Sequence, residues 1–170
     1  MPVDRESGLQ GLLDREAIRN VYTRYARGID RADAALISSA YHPDAVEDHH
    51  GETYSGASIG DTLASHVLTG MKQTITHFTN LTITLAGDRA GCEAYYLGIH
   101  TVKGGEKHLL SSGRTFDRLE RRGNDWRFIS RTIVPETVGI LPLDAITVPH
   151  SGSERSPGDP SYRVLRMEFG

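Results

Sequence analysis

The sequence predicts an α+β domain in which N-terminal helices are wrapped by a curved, mostly antiparallel sheet, a cone with a pocket between the two layers. Three observations predict it. Apolar residues recur at helical spacing only in the first part of the chain. Long strand-like runs joined by Gly, Asn and Asp turns follow. A length of 170 residues with 38% apolar content suits one core.

The elements follow in order. Ile18, Val21, Tyr22, Tyr25 and Ile29 form the core stripe of a first helix, expected from Asp14 to Arg27 and weakened by Gly28. Asp30 is the expected N-cap of a short second helix running through Ala40. "HPDA" breaks the chain, "VEDHH" reads as a short strand, and "SGASIGDTLASHVLTGM" as a third helix capped by Ser55 or Ser58. Four strands are then expected in "TITHFTNLTITL", "CEAYYLGIHTV", "HLLSSGRTFDRLERR" and "WRFISRTIV", separated by "GDRAG", "KGGEK" and "GND". Five of the seven prolines lie at or after Pro135. The reading therefore divides the chain into a domain over 1–135 and an extended tail over 136–170 that wraps the domain or a neighbour.

Composition narrows the function. The formal charge is -3, and the one basic cluster, Arg118, Arg121 and Arg122, is interrupted by Glu120 at a turn. No nucleic-acid partner is expected. A single cysteine, Cys92, excludes a disulfide framework and a cysteine-based zinc knot. The N-terminus has acids early and no apolar run, and no stretch is long enough to span a bilayer. A soluble, cytoplasmic protein without a membrane partner is expected.

Polar groups on apolar faces carry the chemistry. In "TITHFTNLTITL" the alternate residues Ile75, His77, Thr79, Leu81, Ile83 and Leu85 form a mostly aliphatic face, and His77 falls on it. In the last strand Arg127, Ile129, Arg131 and Ile133 share one face and Trp126, Phe128, Ser130, Thr132 and Val134 the other, so the pattern leaves open which is inside. If Arg131 points inward it needs a carboxylate or an anionic ligand. Tyr25 ends the core stripe, and the break at Gly28 would redirect Asp30 inward. A pocket uniting Tyr25, Asp30, His77 and Arg131 would use His77 as base. Asp30 would fix its tautomer, and Tyr25 and Arg131 would donate to an oxygen gaining charge. Together these roles amount to proton abstraction beside a carbonyl. Each residue also has a plainer reading: a satisfied core histidine, a helix cap, a core tyrosine, a snorkelling arginine.

"VEDHHG" offers one acid and one histidine on each strand face, Glu47 with His49 and Asp48 with His50. It reads first as a polar edge strand with one member lining the pocket rim. A metal site would need further ligands such as His42, His66 or His108, and no metal is expected. No phosphate loop and no nucleophile elbow are present.

The succession "YARGID", "YHPDAVEDHHG", "THFTNLTITLAGDRAGCEAYY", "GRTFDRLERRGNDWRFISRTIV" resembles the SnoaL-like branch of the nuclear transport factor 2-like superfamily, over roughly Leu12 to Val134. Within it the chain looks most like the bile-acid 7α-dehydratase, scytalone dehydratase and γ-hexachlorocyclohexane dehydrochlorinase members. The resemblance implies a cone-shaped (cystatin-like) barrel and an aspartate–histidine dyad at Asp30 and His77. It also implies an arginine on the last strand at Arg131 and a tyrosine five residues before the aspartate at Tyr25. It implies a cofactor-free dehydratase or isomerase, a hydrophobic hydroxy-carbonyl substrate and a homo-oligomer, trimer or dimer. The superfamily also holds ketosteroid isomerases and polyketide cyclases. Its dioxygenase β-subunits and binding modules leave a non-catalytic partner or a small-molecule binding domain as alternatives.

Overall fold

The structure, a computed structural model, describes residues 5–104, 107–141 and 154–167, with side chains from residue 8 onward. Helix α1 (Arg5–Arg31) is followed by α2 (Ala34–Ser38), strands β1 (Tyr41–His49) and β2 (Glu52–Ser55), and a single 3₁₀ turn over Gly56–Ser58. Helix α3 (Ile59–Gly70) leads into β3 (Met71–Ala86), β4 (Arg89–Val102), β5 (His108–Arg122) and β6 (Asp125–Leu141), and α4 (Pro160–Leu165) ends the described chain. The strands form one sheet in the order β2-β1-β6-β5-β4-β3. Among the described strands the β1–β6 pairing is parallel and the others are antiparallel. The sheet is curved and unclosed, with β2 and β3 as its two edges.

The α1 stripe lies in the core as expected. Ile18, Val21, Tyr22 and Tyr25 are buried, and Ile29 packs against them. The helix does not stop at Gly28 but runs on to Arg31. Gly28 serves a different purpose: a Cβ there would meet Ile37 Cγ1 at 2.7 Å and Ile37 N at 2.9 Å, so its lack of a side chain lets α2 lie directly against α1. The cap of α2 is also not Asp30. Asp33 accepts the Leu36 N–H at 3.0 Å. "HPDA" lies inside β1, where the register with β6 shifts between Tyr41 and Val46. A two-residue turn, His50-Gly51, both with positive φ, joins β1 to β2.

Two bulges decide what faces inward. On β3 the partners Phe78↔Tyr96 and Leu81↔Ala94 leave one extra residue on the β3 side, so side-chain parity switches. Thr74, Thr76 and Phe78 point inward before the bulge, and Leu81, Ile83 and Leu85 after it. On β6 the partners Arg118↔Ser130 and Leu119↔Phe128 place an extra residue at Ile129. Trp126 and Phe128 are buried before it, and Arg131 and Ile133 after it. Both faces of the last strand are thus inner faces, each for half its length.

Residues expected in the tail divide into parts. β6 continues through Pro135 to Leu141, and residues 142–153 and 168–170 lie outside the described residues. The stretch 154–167 docks at the C-terminal end of α1. Arg155 donates to the carbonyls of Asp30 (3.3 Å) and Met71 (2.6 Å) and to Thr74 Oγ1 (3.2 Å). Arg31 pairs with Asp159 at 3.4 Å, and Tyr162 donates to Asp33 at 3.0 Å. Among the described residues no helix is long and apolar enough to cross a membrane.

Candidate active site

Between α1, α3 and the concave face of the sheet lies a cavity of about 550 Å³. Its walls are mainly apolar, with Ile29, Leu63, Met71, Phe78, Leu109 and Ile133 among them. Its polar lining comprises Tyr25 and Arg131, the imidazoles of His49, His50, His66 and His100, and hydroxyls from Thr74, Thr76, Tyr96, Ser111 and Thr115. A cavity of this size, mainly apolar with several polar side chains, is suited to a small organic molecule.

Arg131 is the most constrained of these groups. Its residue is 1% exposed, and its guanidinium sits in an aromatic cage, 4.1 Å from the Tyr25 ring centre, 4.6 Å from Phe128, 5.1 Å from Phe78 and 5.6 Å from Tyr22. The register explains its counter-charges. Arg131 faces Asp117 across β5–β6 and Glu47 across β1–β6. Arg131 Nε lies 3.5 Å from Asp117 Oδ1, and Asp117 Oδ2 accepts from Tyr22 (2.6 Å) and Thr115 (2.7 Å). Burial pushes the Asp117 carboxyl upward, and the Arg131 charge with the two hydroxyls offsets part of that. Yet none of the guanidinium nitrogens Nε, Nη1 and Nη2 has a hydrogen-bond acceptor of good geometry. Arg131 is thus a fully buried cation beside the cavity, with one ion-pair partner and no well-formed hydrogen bond.

Glu47, fully buried, is the second carboxylate of this cluster. Its Oε2 accepts from the Tyr41 hydroxyl in a short hydrogen bond, and its Oε1 lies 2.8 Å from His49 Nδ1. Burial pushes its carboxyl up. The hydrogen bond to His49, the Arg131 charge and the Tyr41 hydroxyl more than offset this and hold it below the usual glutamate range. Tyr25, also buried, has its hydroxyl pushed upward, first by burial and then by the Glu47 charge, so it stays protonated and can only donate to an anion. Burial lowers His50 and His100, the former helped by His49 and the latter by the Arg155 charge.

The four residues expected to act together are split. Tyr25 and Arg131 meet at the inner cavity. Asp30 and His77 do not reach it; they line a separate groove of about 630 Å³ on the outside, between α1 and β3. His77 is exposed because it precedes the β3 bulge, where the odd positions face outward; Thr76 holds the inward position. No hydrogen bond joins His77 to Asp30. Asp30 Oδ2 instead accepts the backbone N–H of Thr76 at 3.2 Å, covering a donor on the unpaired edge of β3. Burial raises the Asp30 carboxyl, and that N–H pulls it partly back. Sequence reasoning missed Asp117 and did not couple Glu47 to His49. The signal for the second was present: residues two apart on a strand share a face. Among the described residues no group of three His, Cys, Asp or Glu side chains is placed to hold a metal ion.

A family model described as a SnoaL-like domain matches residues 10–132. A search of curated protein sequences gives no match. Among solved structures, LinA is 25% identical with a TM-score of 0.78, covering 84% of this chain and 99% of its own. A hexachlorocyclohexane dehydrochlorinase, LinA-type3, from Novosphingobium barchaimii LL02 is 22% identical with a TM-score of 0.76, covering 84% of this chain and 99% of its own. A candidate scytalone dehydratase from Novosphingobium aromaticivorans is 17% identical with a TM-score of 0.72, covering 79% and 92%. The last two likenesses carry the fold alone; the SnoaL-like match identifies that fold as the nuclear transport factor 2-like one.

Proposed function

The chain belongs to the SnoaL-like domain family, and from that premise we propose that it is a cofactor-free lyase, a dehydratase or isomerase acting on a hydrophobic cyclic hydroxy-carbonyl compound in the inner cavity. The observation that carries this reading is the caged guanidinium of Arg131, buried at the cavity with its donors unused. A substrate carbonyl seated there would gain negative charge as a neighbouring carbon loses its proton. Arg131 and the protonated Tyr25 would stabilise that charge in a site screened from water. A cavity imidazole would take the proton. LinA, 25% identical over most of this chain, is named as a hexachlorocyclohexane dehydrochlorinase, and the elimination that this name describes supports the reading. In this reading Asp30 secures the edge of β3 and the start of the cavity wall. A homo-oligomer remains part of the proposal, supported by exposed apolar side chains such as Tyr95 and Phe116 on the outer face of the sheet.

An open cavity favours an enzyme over a dioxygenase β-subunit-like partner, for which a filled pocket is expected. The test is turnover in the presence of a chelator. Incubated with a panel of cyclic β-hydroxy ketones, the protein is expected to form the conjugated enone, detected by its ultraviolet absorbance. Ser111→Trp, which fills the cavity, is expected to abolish that turnover. Absence of both binding and turnover across the panel, or turnover indifferent to the filling, would overturn the reading.

A further inference from the structure

We infer that Glu47 and His49 are the acid–base pair of the inner cavity: Nε2 of His49 is the proton acceptor, and Glu47 is the residue that positions it. The inference rests on the reading of that cavity as the seat of proton abstraction.

The pair is built by the strand. Glu47 and His49 are two apart on β1, so they share its inner face, and β6 holds them beside Arg131 and Ile133. The chemistry of the contact fixes the tautomer. Glu47 is held ionised and its Oε2 already accepts from Tyr41, so at 2.8 Å the Oε1 contact must be supplied by an N–H on Nδ1 of His49. Nε2 is left as the lone-pair nitrogen when the ring is neutral, and among the described residues it makes no hydrogen bond. The ring lines the cavity and its side chain is 30% exposed there, while the carboxylate behind it is 0% exposed. An imidazole with one nitrogen clamped to a buried carboxylate and the other facing a guest is the arrangement a general base requires.

The rival imidazoles are less well placed. His100 also lines the cavity, but its Nδ1 is buried without a partner, and burial together with the Arg155 charge weakens it as a base. His50 lies tilted against His49, with ring centres 4.6 Å apart, and is likewise lowered. His66 lies 3.4 Å from the Tyr54 hydroxyl and has no carboxylate contact among the described residues.

In the reaction, Nε2 takes the proton from the carbon beside the carbonyl. The C–H electron pair passes first to the carbonyl oxygen as an enolate beside Arg131 and Tyr25. Its collapse restores the C=O and forms the new C=C bond as the C–O bond to the β-hydroxyl breaks. The imidazolium returns the proton to the departing hydroxide. One water leaves, and the enzyme ends as it began. Glu47 stabilises the imidazolium during the interval.

The experiment joins kinetics to the ¹⁵N NMR spectrum of the histidine rings. Turnover of His49→Gln and of Glu47→Gln is expected to fall about a hundredfold to ten-thousandfold, with binding of an unreactive cyclic ketone changed little. In the wild-type protein neutral His49 is expected to show a protonated Nδ1 and an unprotonated Nε2, a preference lost in Glu47→Gln. Full turnover in His49→Gln, with Ser111→Trp inactive, overturns the pair and leaves the cavity reading standing. Turnover that survives Ser111→Trp overturns both. If Glu47→Gln fails to fold, the wild-type spectrum decides: a protonated Nε2 on neutral His49 overturns the assignment.

Discussion

Arg131→Met is expected to destabilise the fold by roughly 3–5 kcal/mol, the range for breaking a buried ion pair by removing one partner. The side chain of Asp117, 0% exposed, would keep its two hydroxyl donors but lose the cation that pairs with it. Burial already raises that carboxyl, and without Arg131 it would rise further. The sign of the pH dependence follows. A carboxyl whose folded pKa lies above its unfolded value costs stability above the folded pKa, and the cost is relieved as pH falls through it. The variant should therefore be most impaired at neutral pH and recover part of the difference toward about pH 4, where unfolded aspartate titrates. Urea denaturation at several pH values measures this. Adding Asp117→Asn should restore most of the stability at neutral pH. If the double variant is no better than the single one, the loss is one of packing rather than charge. Turnover should stay low in both, by about a hundredfold to a thousandfold, because the donor to the developing oxyanion is gone in each.

Phe128→Ala should cost a similar amount, about 3–5 kcal/mol. Phe128 is 0% exposed and lies edge-on to Tyr22 at 5.1 Å and to Tyr25 at 6.3 Å, with Tyr41 tilted against it at 5.3 Å. It also faces the guanidinium at 4.6 Å. Its removal opens a void at the centre of the cage and frees Arg131 to change position. Phe128→Leu, which keeps most of the volume, should cost only about 1 kcal/mol. Thermal unfolding gives the stabilities. Binding of an unreactive cyclic ketone shows whether the guanidinium has kept its place: Phe128→Leu should bind nearly as well as wild type and Phe128→Ala markedly worse. Equal binding by the two would show that the cage does not hold Arg131.

What the sequence made legible was periodicity wherever periodicity runs unbroken. The stripe from Ile18 to Tyr25 is an uninterrupted helix face, and it was read correctly. The β4 and β5 runs keep alternation along most of their length, as in the inward Thr115, Asp117 and Leu119. The failures sit where one residue breaks the count. His77 and Leu81 are four apart, so simple alternation puts them on one face; the bulge between Phe78 and Leu81 puts them on opposite ones. The same device at Ile129 made both faces of β6 look equally apolar, because each is inner for part of its length. Bulges leave little trace in composition, since any residue can be the extra one. Gly28 misled in another way: a glycine near a helix end suggests a stop, but here it makes room for Ile37. Arg131 was legible as a problem, a charge that needs a partner if buried, while the partner itself depended on a β5–β6 register that the sequence does not display.

The placement of the histidines separates this account from the one that motif spacing suggested. Ring-labelled histidine NMR, during titration with an unreactive bicyclic ketone, reads that placement in solution. Ligand in the inner cavity should shift the resonances of His49 and His100 and leave those of His77 where they are. A titration that moves His77 while His49 and His100 stay fixed would contradict the account and return the chemistry to the outer groove.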